Sequence, residues 1–195
     1  MGDSIQERGM KKTEYLLTVA LRNLLKTHLF SRITVNDICI EAMVSRSAFY
    51  TYFEDKYALL RFMLDMANAE LIHRLKGKPL RAYIQAMLSQ VKAERSLFRN
   101  IISSGYREET SAIILHMHFE NIRNAMIHQY EGDREIPVEV VAYYHASAVV
   151  NTIIQWVEHN MDYSIEEMTS YLVKILPPGL REISLPFDEE KSVPL

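Results

Sequence analysis

Between Thr34 and Lys56 two short apolar stripes lie so close together that they read as two helices joined by a tight turn. In the first, Val35, Ile38, Cys39 and Ala42 recur at i, i+3, i+4 and i+7, so one face is apolar. Thr34 precedes that stripe as an N-cap, and Asp37 stands in the first turn, where a carboxylate complements the helix dipole. Met43 and Val44 form the turn, and Ser45 is the next N-cap. In the second helix Phe49 and Phe53 are four apart and point inward, with Ser47, Thr51 and Glu54 on the opposite side. Arg46, Ser47, Tyr50, Thr51 and Tyr52 give this short helix an outward front of hydrogen-bonding side chains. A helix presented outward and braced by another is the helix-turn-helix geometry that enters a DNA major groove.

Ile33-Thr34-Val35, Asp37-Ile38, Ala42, Val44-Ser45-Arg46, Phe49-Tyr50, Tyr52-Phe53, Asp55-Lys56 and Leu59-Leu60 together resemble the TetR family of transcriptional regulators. The run from VSRSAFYTYF to EDK carries the resemblance, because each position in it has a separate job. The family often has Gly where Met43 and Leu29 stand; a positive φ at Met43 would carry strain of about 1 kcal/mol. The resemblance implies an all-α chain: a three-helix DNA-binding part over 1–55, a connecting fourth helix and linker over 56–79, a larger effector-binding and dimerisation part over 80–180, and a flexible tail over 181–195. It further implies a homodimer on a palindromic operator and a small-molecule effector, apolar or amphipathic. The segment Ile153–Leu176 looks like the closing helices that pair with a second subunit in a four-helix bundle.

The chain has 195 residues, 48% of them hydrophobic, which is enough to bury a real core. Its net charge is -3, and residues 1–60 carry 8 basic against 7 acidic side chains, about +1. A grip on DNA must therefore come from a few placed cations, hydroxyls and backbone amides rather than a broad basic patch. Cys39 is the single cysteine and lies on a core stripe, so no intrachain disulfide and no cysteine-built metal cluster can form. Met1–Lys12 lacks the apolar stretch of a secretory signal, and no run is long enough to cross a membrane; a cytoplasmic location is expected.

Along the chain, a polar start over 1–10 should fray. Helix one runs over Lys12–Thr27 on a stripe of Leu17, Ala20, Leu21 and Leu24, with Phe30 and Ile33 plugging the core behind it. Asp55 caps a helix over Lys56–Leu75, stopped by Gly77 and Pro79. Further helices follow over Ala82–Ala93, Ser96–Ser103 closed by Gly105, and Glu108–Tyr130. After a break at Glu131–Pro137 comes Val138–Asn160, the most apolar helix. Ser164 with Glu167 forms a capping box that opens a last helix to Leu176, and Pro177, Pro178 and Gly179 stop it. No useful strand-like alternation and no internal repeat appear, so the expectation is all-α with about nine helices.

Arg46, Ser47, Tyr50 and Thr51 are the base-reading candidates; Thr34, Ser45, Tyr52 and Lys56 are the phosphate candidates. Arg46 on a guanine edge is worth roughly 1–3 kcal/mol of discrimination. An ordinary polar surface helix is the rival reading, but two tyrosines are costly to leave on a bare surface. Met and aromatic residues crowd the second part; such sets are ordinarily core, yet a cavity between helices is a common ligand site. Met87, Phe98, His116, Phe119 and Tyr144 are the candidate effector-pocket residues. His116 and His118 diverge by about 200° on one helix and cannot chelate one ion together. No Gly-rich phosphate loop, nucleophile elbow or H-E-x-x-H occurs, so neither cofactor, metal nor enzyme activity is expected. A homodimer through Val138–Asn160 and Ser164–Leu176 is expected, since one reading head covers only one half-site. A repressor is the leading reading; an activator or adaptor with the same DNA contacts is the alternative, and an enzyme with a pocket in the second part is the remaining one.

Overall fold

The computed structural model describes residues 11–103, 107–129, 136–176 and 178–181. Among them there are ten α-helices, one 3-10 turn and no strand: α1 (Lys12–Leu25), the 3-10 turn Phe30–Arg32, α2 (Val35–Ala42), α3 (Arg46–Tyr52), α4 (Lys56–Arg74), α5 (Leu80–Ala93), α6 (Arg95–Ile102), α7 (Arg107–Gln129), α8 (Val138–Glu158), α9 (Ile165–Ile175) and α10 (Pro178–Arg181). The expected frayed start, the Gly105 stop, Tyr130, the break over 131–135, Pro177 and the tail from residue 182 lie outside the described residues.

The chain forms two compact units, residues 1–66 with 94–110 and residues 67–93 with 111–195. The first is built on apolar stripes at helical spacing. Leu17, Ala20, Leu21 and Leu25 of α1 are buried together with Ile38, Cys39 and Ala42 of α2 and Phe49 of α3, while Phe30 and Ile33 fill the core between helices. A chain of aromatic contacts, Phe49 to Phe53 at 5.9 Å and Phe53 to Phe62 at 5.4 Å, ties α3 to α4. Asp55 caps α4 by accepting from the Ala58 amide at 2.8 Å. The helix α6, expected with the second part, belongs to this first unit: Asn100 donates to the Leu25 carbonyl at 2.8 Å, and Glu94 pairs with Arg22. Leu29 sits at φ -61°, ψ 135°, an extended backbone open to any residue, so glycine has no conformational advantage there.

The second unit buries Tyr83, Ile84, Met87 and Leu88 of α5 and Ala142, Ala146, Val150, Ile154 and Trp156 of α8. The capping box at α9 forms: Ser164 accepts from the Glu167 amide at 3.2 Å, and Glu167 accepts from the Ser164 amide at 2.9 Å. Arg81 of α5 is paired with Glu166 of α9 at 2.5 Å. α9 ends at Ile175, before Pro178 and Gly179 as expected, and these two residues then open the one-turn α10. Proline is at home at a first helical position, Leu180 is buried, and Arg181 donates to the carbonyls of Leu176 at 2.6 Å and Lys174 at 2.7 Å, serving the exposed C-terminal end of α9. Among the described residues no helix is long and apolar enough to cross a membrane.

Candidate nucleic-acid interface and ligand cavity

α2 begins on a capping box: Thr34 Oγ1 accepts from the Asp37 amide at 3.2 Å, and Asp37 accepts from the Thr34 amide at 2.9 Å and its hydroxyl at 2.7 Å. Those hydrogen bonds hold the Asp37 carboxyl below its ordinary range. They also occupy the Thr34 hydroxyl proton and set a carboxylate beside it, so Thr34 serves the helix start and is poorly suited to meet a phosphate. α2 ends with Met43 in the left-handed region at φ 53°, ψ 43°. The Val44 amide donates to Cys39 O at 2.9 Å and the Met43 amide to Ile40 O at 3.1 Å, a Schellman arrangement that turns the chain toward α3. The turn therefore forms with methionine in a place that favours glycine.

Ser45 then caps α3, accepting from the Ala48 amide at 3.1 Å. Phe49 is fully buried, and this fixes the rotation of the seven-residue helix. Arg46, Ser47, Tyr50 and Thr51 are all exposed on it, with Tyr50 at 51%. The Thr51 hydroxyl donates back to Ser47 O at 3.1 Å, which leaves its oxygen and methyl facing out. Tyr52 is half-buried, with Lys11 Nζ 5.3 Å from its ring centroid. The four base-reading candidates thus share one front, and Ser45 lies exposed at its edge.

Lys56 stands apart from this front. Its ammonium donates to three carbonyls, Phe30 O at 2.9 Å, Ser31 O at 3.3 Å and Ile33 O at 2.8 Å, and lies 4.7 Å from the Phe30 ring centroid. Partial burial pulls its pKa down. With three donors directed at three backbone oxygens, Lys56 anchors the loop between α1 and α2 to the start of α4, and the phosphate role expected of it is replaced by a structural one.

In the second unit a cavity of about 50 Å³ with an apolar wall lies between helices. Tyr83 and Met87 of α5, His118, Asn121 and Ala125 of α7 and Val149 of α8 line it, and Leu176 and Leu180 close one end. Of the five residues expected at an effector pocket, Met87 alone is in this wall. Phe119 of α7 and Tyr144 of α8 line an open face instead, His116 is exposed, and Phe98 belongs to the first unit. The helix phase explains the miss: His118, Asn121, Ile122 and Ala125 are spaced three and four apart, so the inward histidine is His118, two residues and about 200° from His116. Burial pushes the His118 imidazole down to about 4, so it is neutral at physiological pH. Burial likewise raises the Tyr83 hydroxyl and the Cys39 thiol, which leaves Cys39 protonated and unreactive. No group of three or more His, Cys, Asp or Glu among the described residues is placed to hold a metal ion.

Residues 17–63 match the family model for bacterial regulatory proteins of the tetR family, and residues 80–177 match a transcriptional regulator C-terminal region of the same family. The chain belongs to the TetR family of transcriptional regulators. It is thus a DNA-binding regulator, and the exposed front of α3 lies within the matched DNA-binding region. Solved structures share the fold at low identity. The dihydroxyacetone kinase operon activator DhaS is 18% identical, with a TM-score of 0.63 over 89% of this chain and 99% of its own. A TetR regulator from Streptococcus agalactiae 2603V is 20% identical, with a TM-score of 0.58 over 87% and 96%. FadR of Thermus thermophilus, a repressor solved with lauroyl-CoA, is 17% identical, with a TM-score of 0.60 over 83% and 91%. No curated protein matches the chain.

Proposed function

We propose that this TetR-family chain is a homodimeric repressor that binds a palindromic operator in the cytoplasm and releases it when a small apolar molecule enters the second unit. The observation that carries the DNA part is the α3 front: Arg46, Ser47, Tyr50 and Thr51 exposed on one side, with Phe49 fully buried behind them. Arg46 reads a guanine edge, Tyr50 and Thr51 contact bases or thymine methyls, and Ser45 and Tyr52 hold the phosphate backbone. Two copies are needed because each front covers one half-site, with half-sites about 34 Å apart or a multiple of it.

The dimer reading is supported by the outer face of α8. Val140, Tyr143 and Tyr144 are exposed there beside Ser147 and Ala148, with Tyr144 at 68%, and Tyr171 and Ile175 of α9 are exposed as well. Large apolar side chains left uncovered on neighbouring helices suit a second copy of the same surface. The effector reading is supported by the apolar cavity, whose wall carries no fixed charge and suits an uncharged or alkyl group. An activator remains the second reading, because DhaS, which shares the fold, is an operon activator.

The test is a selection from random double-stranded DNA, followed by gel shift at several salt concentrations. A palindromic consensus bound by two chains, with affinity falling steeply as salt rises, is the expected result. A pool that never converges would refute the DNA-binding assignment. A reporter on the selected site separates the two regulatory readings, since deleting the gene raises expression under a repressor and lowers it under an activator.

A further inference from the structure

Three polar side chains from three helices close a ring beside the cavity. Tyr83 of α5 donates its hydroxyl to Asn68 Oδ1 of α4 at 2.6 Å, Asn68 Nδ2 donates to Asn121 Oδ1 of α7 at 3.4 Å, and Asn121 Nδ2 donates to the Tyr83 oxygen at 3.4 Å. Donors and acceptors run one way round, so each bond polarises the next. Tyr83 is buried and both asparagines are half-buried. Two of the three members, Tyr83 and Asn121, are also wall residues of the cavity. The third, Asn68, lies on α4, the helix that the two units divide between Met66 and Ala67.

The cavity volume of about 50 Å³ is small beside the roughly 300–1,000 Å³ of ordinary ligand pockets. An effector that fills an ordinary ligand pocket must therefore push the wall outward. A close-packed wall does not stretch; it shifts to another packing. Movement of α5 or α7 carries Tyr83 or Asn121 with it and strains the bonds to Asn68.

From this geometry we infer that Asn68, Tyr83 and Asn121 form a clasp that holds the second half of α4 in its operator-binding position and opens when the cavity is filled. The inference rests on the regulator reading above. It names the device by which that same site is regulated: occupancy is sensed by the wall and transmitted to α4 through the Tyr83 hydroxyl and the Asn121 amide. All three are positioning residues, since none is placed to touch DNA.

The experiment uses the full chain without any ligand. Tyr83→Phe removes the hydroxyl and keeps the ring in the wall. Hydrogen exchange is measured at the amides of residues 67–74, and binding to the selected operator is measured by anisotropy. Exchange at 67–74 should quicken and operator affinity should fall, each by about fivefold, the factor one ordinary hydrogen bond is worth. Asn68→Ala should repeat both effects. Met87→Leu, in the same wall but outside the clasp, should cause neither. Unchanged exchange in Tyr83→Phe overturns the clasp outright, and faster exchange with wild-type operator affinity overturns its regulatory role. The same loss in Met87→Leu would also overturn it, since any disturbance of the wall would then suffice. A wild-type chain that binds no operator instead sinks the regulator reading, a separate failure, because exchange in α4 still reports on the clasp itself.

Discussion

Replacing Lys56 with Met tests the anchoring role of its ammonium. Methionine keeps the apolar stem and removes the ammonium. Phe30 O, Ser31 O and Ile33 O then each lose a charged donor now at 2.9, 3.3 and 2.8 Å. Hydrogen bonds to charged groups are worth about 1.5–3 kcal/mol. Lys56 is only partly buried, so solvent screening and replacement waters argue for about 1 kcal/mol per bond and about 3 kcal/mol in all. That is a factor of about 150 in the unfolding equilibrium of the first unit. The assay is urea unfolding of wild type and Lys56→Met, beside the salt dependence of operator binding at low temperature, where both remain folded. The expected result is a much lower unfolding midpoint with an unchanged salt slope. A variant that unfolds like wild type but loses about one phosphate contact from the slope, near 0.9 in the log–log plot, would refute the anchoring role.

Met43 is 93% exposed at φ 53°, so Met43→Gly should relieve backbone strain and raise stability by up to about 1 kcal/mol, read in the same urea titration, with operator binding retained. His118 sets an acid limit. The unfolded chain takes up its proton near 6.5 and the folded chain only near 4, so protons favour unfolding; the stability is full above 6.5 and is lost as pH falls from 6.5 to 4, by about 3 kcal/mol. His118→Leu should flatten that part of the pH–stability curve. Val140→Glu with Tyr144→Glu places charge on the exposed face of α8, and light scattering should then show a monomer where wild type gives a dimer.

The helix-turn-helix is legible in the sequence because every signal in it is local. Thr34 and Asp37 are three apart, Phe49 and Phe53 four apart, and the side chains that brace α3 follow its own period. The burial of Phe49 alone then determines which residues face out. The role of Lys56 was not legible, because its partners are carbonyls 26, 25 and 23 residues earlier, and a lysine beside an exposed helix reads as a cation for phosphate. The cavity wall is hard to read for a different reason. α7 mixes apolar and polar residues all round, so its inward phase is ambiguous by two positions, the difference between His116 and His118. The unit that Phe98 joins is not legible either, because α6 carries no local mark of it; that depends on distant partners such as Asn100 with the Leu25 carbonyl. The stop after Leu176 is legible from Pro178 and Gly179, but the one-turn α10 that they open is not, although a proline suits a first helical position.

The most direct measurement is an anisotropy titration of the selected operator with wild type, Arg46→Ala and Tyr50→Ala, each checked by circular dichroism and melting temperature. Both side chains are exposed, so both variants should melt like wild type. Each should bind the operator at least about tenfold more weakly, and Arg46→Ala should also lose preference at one guanine position. Wild-type affinity and specificity in both variants would mean that α3 is not the reading helix, and the assignment of this surface to DNA would be wrong.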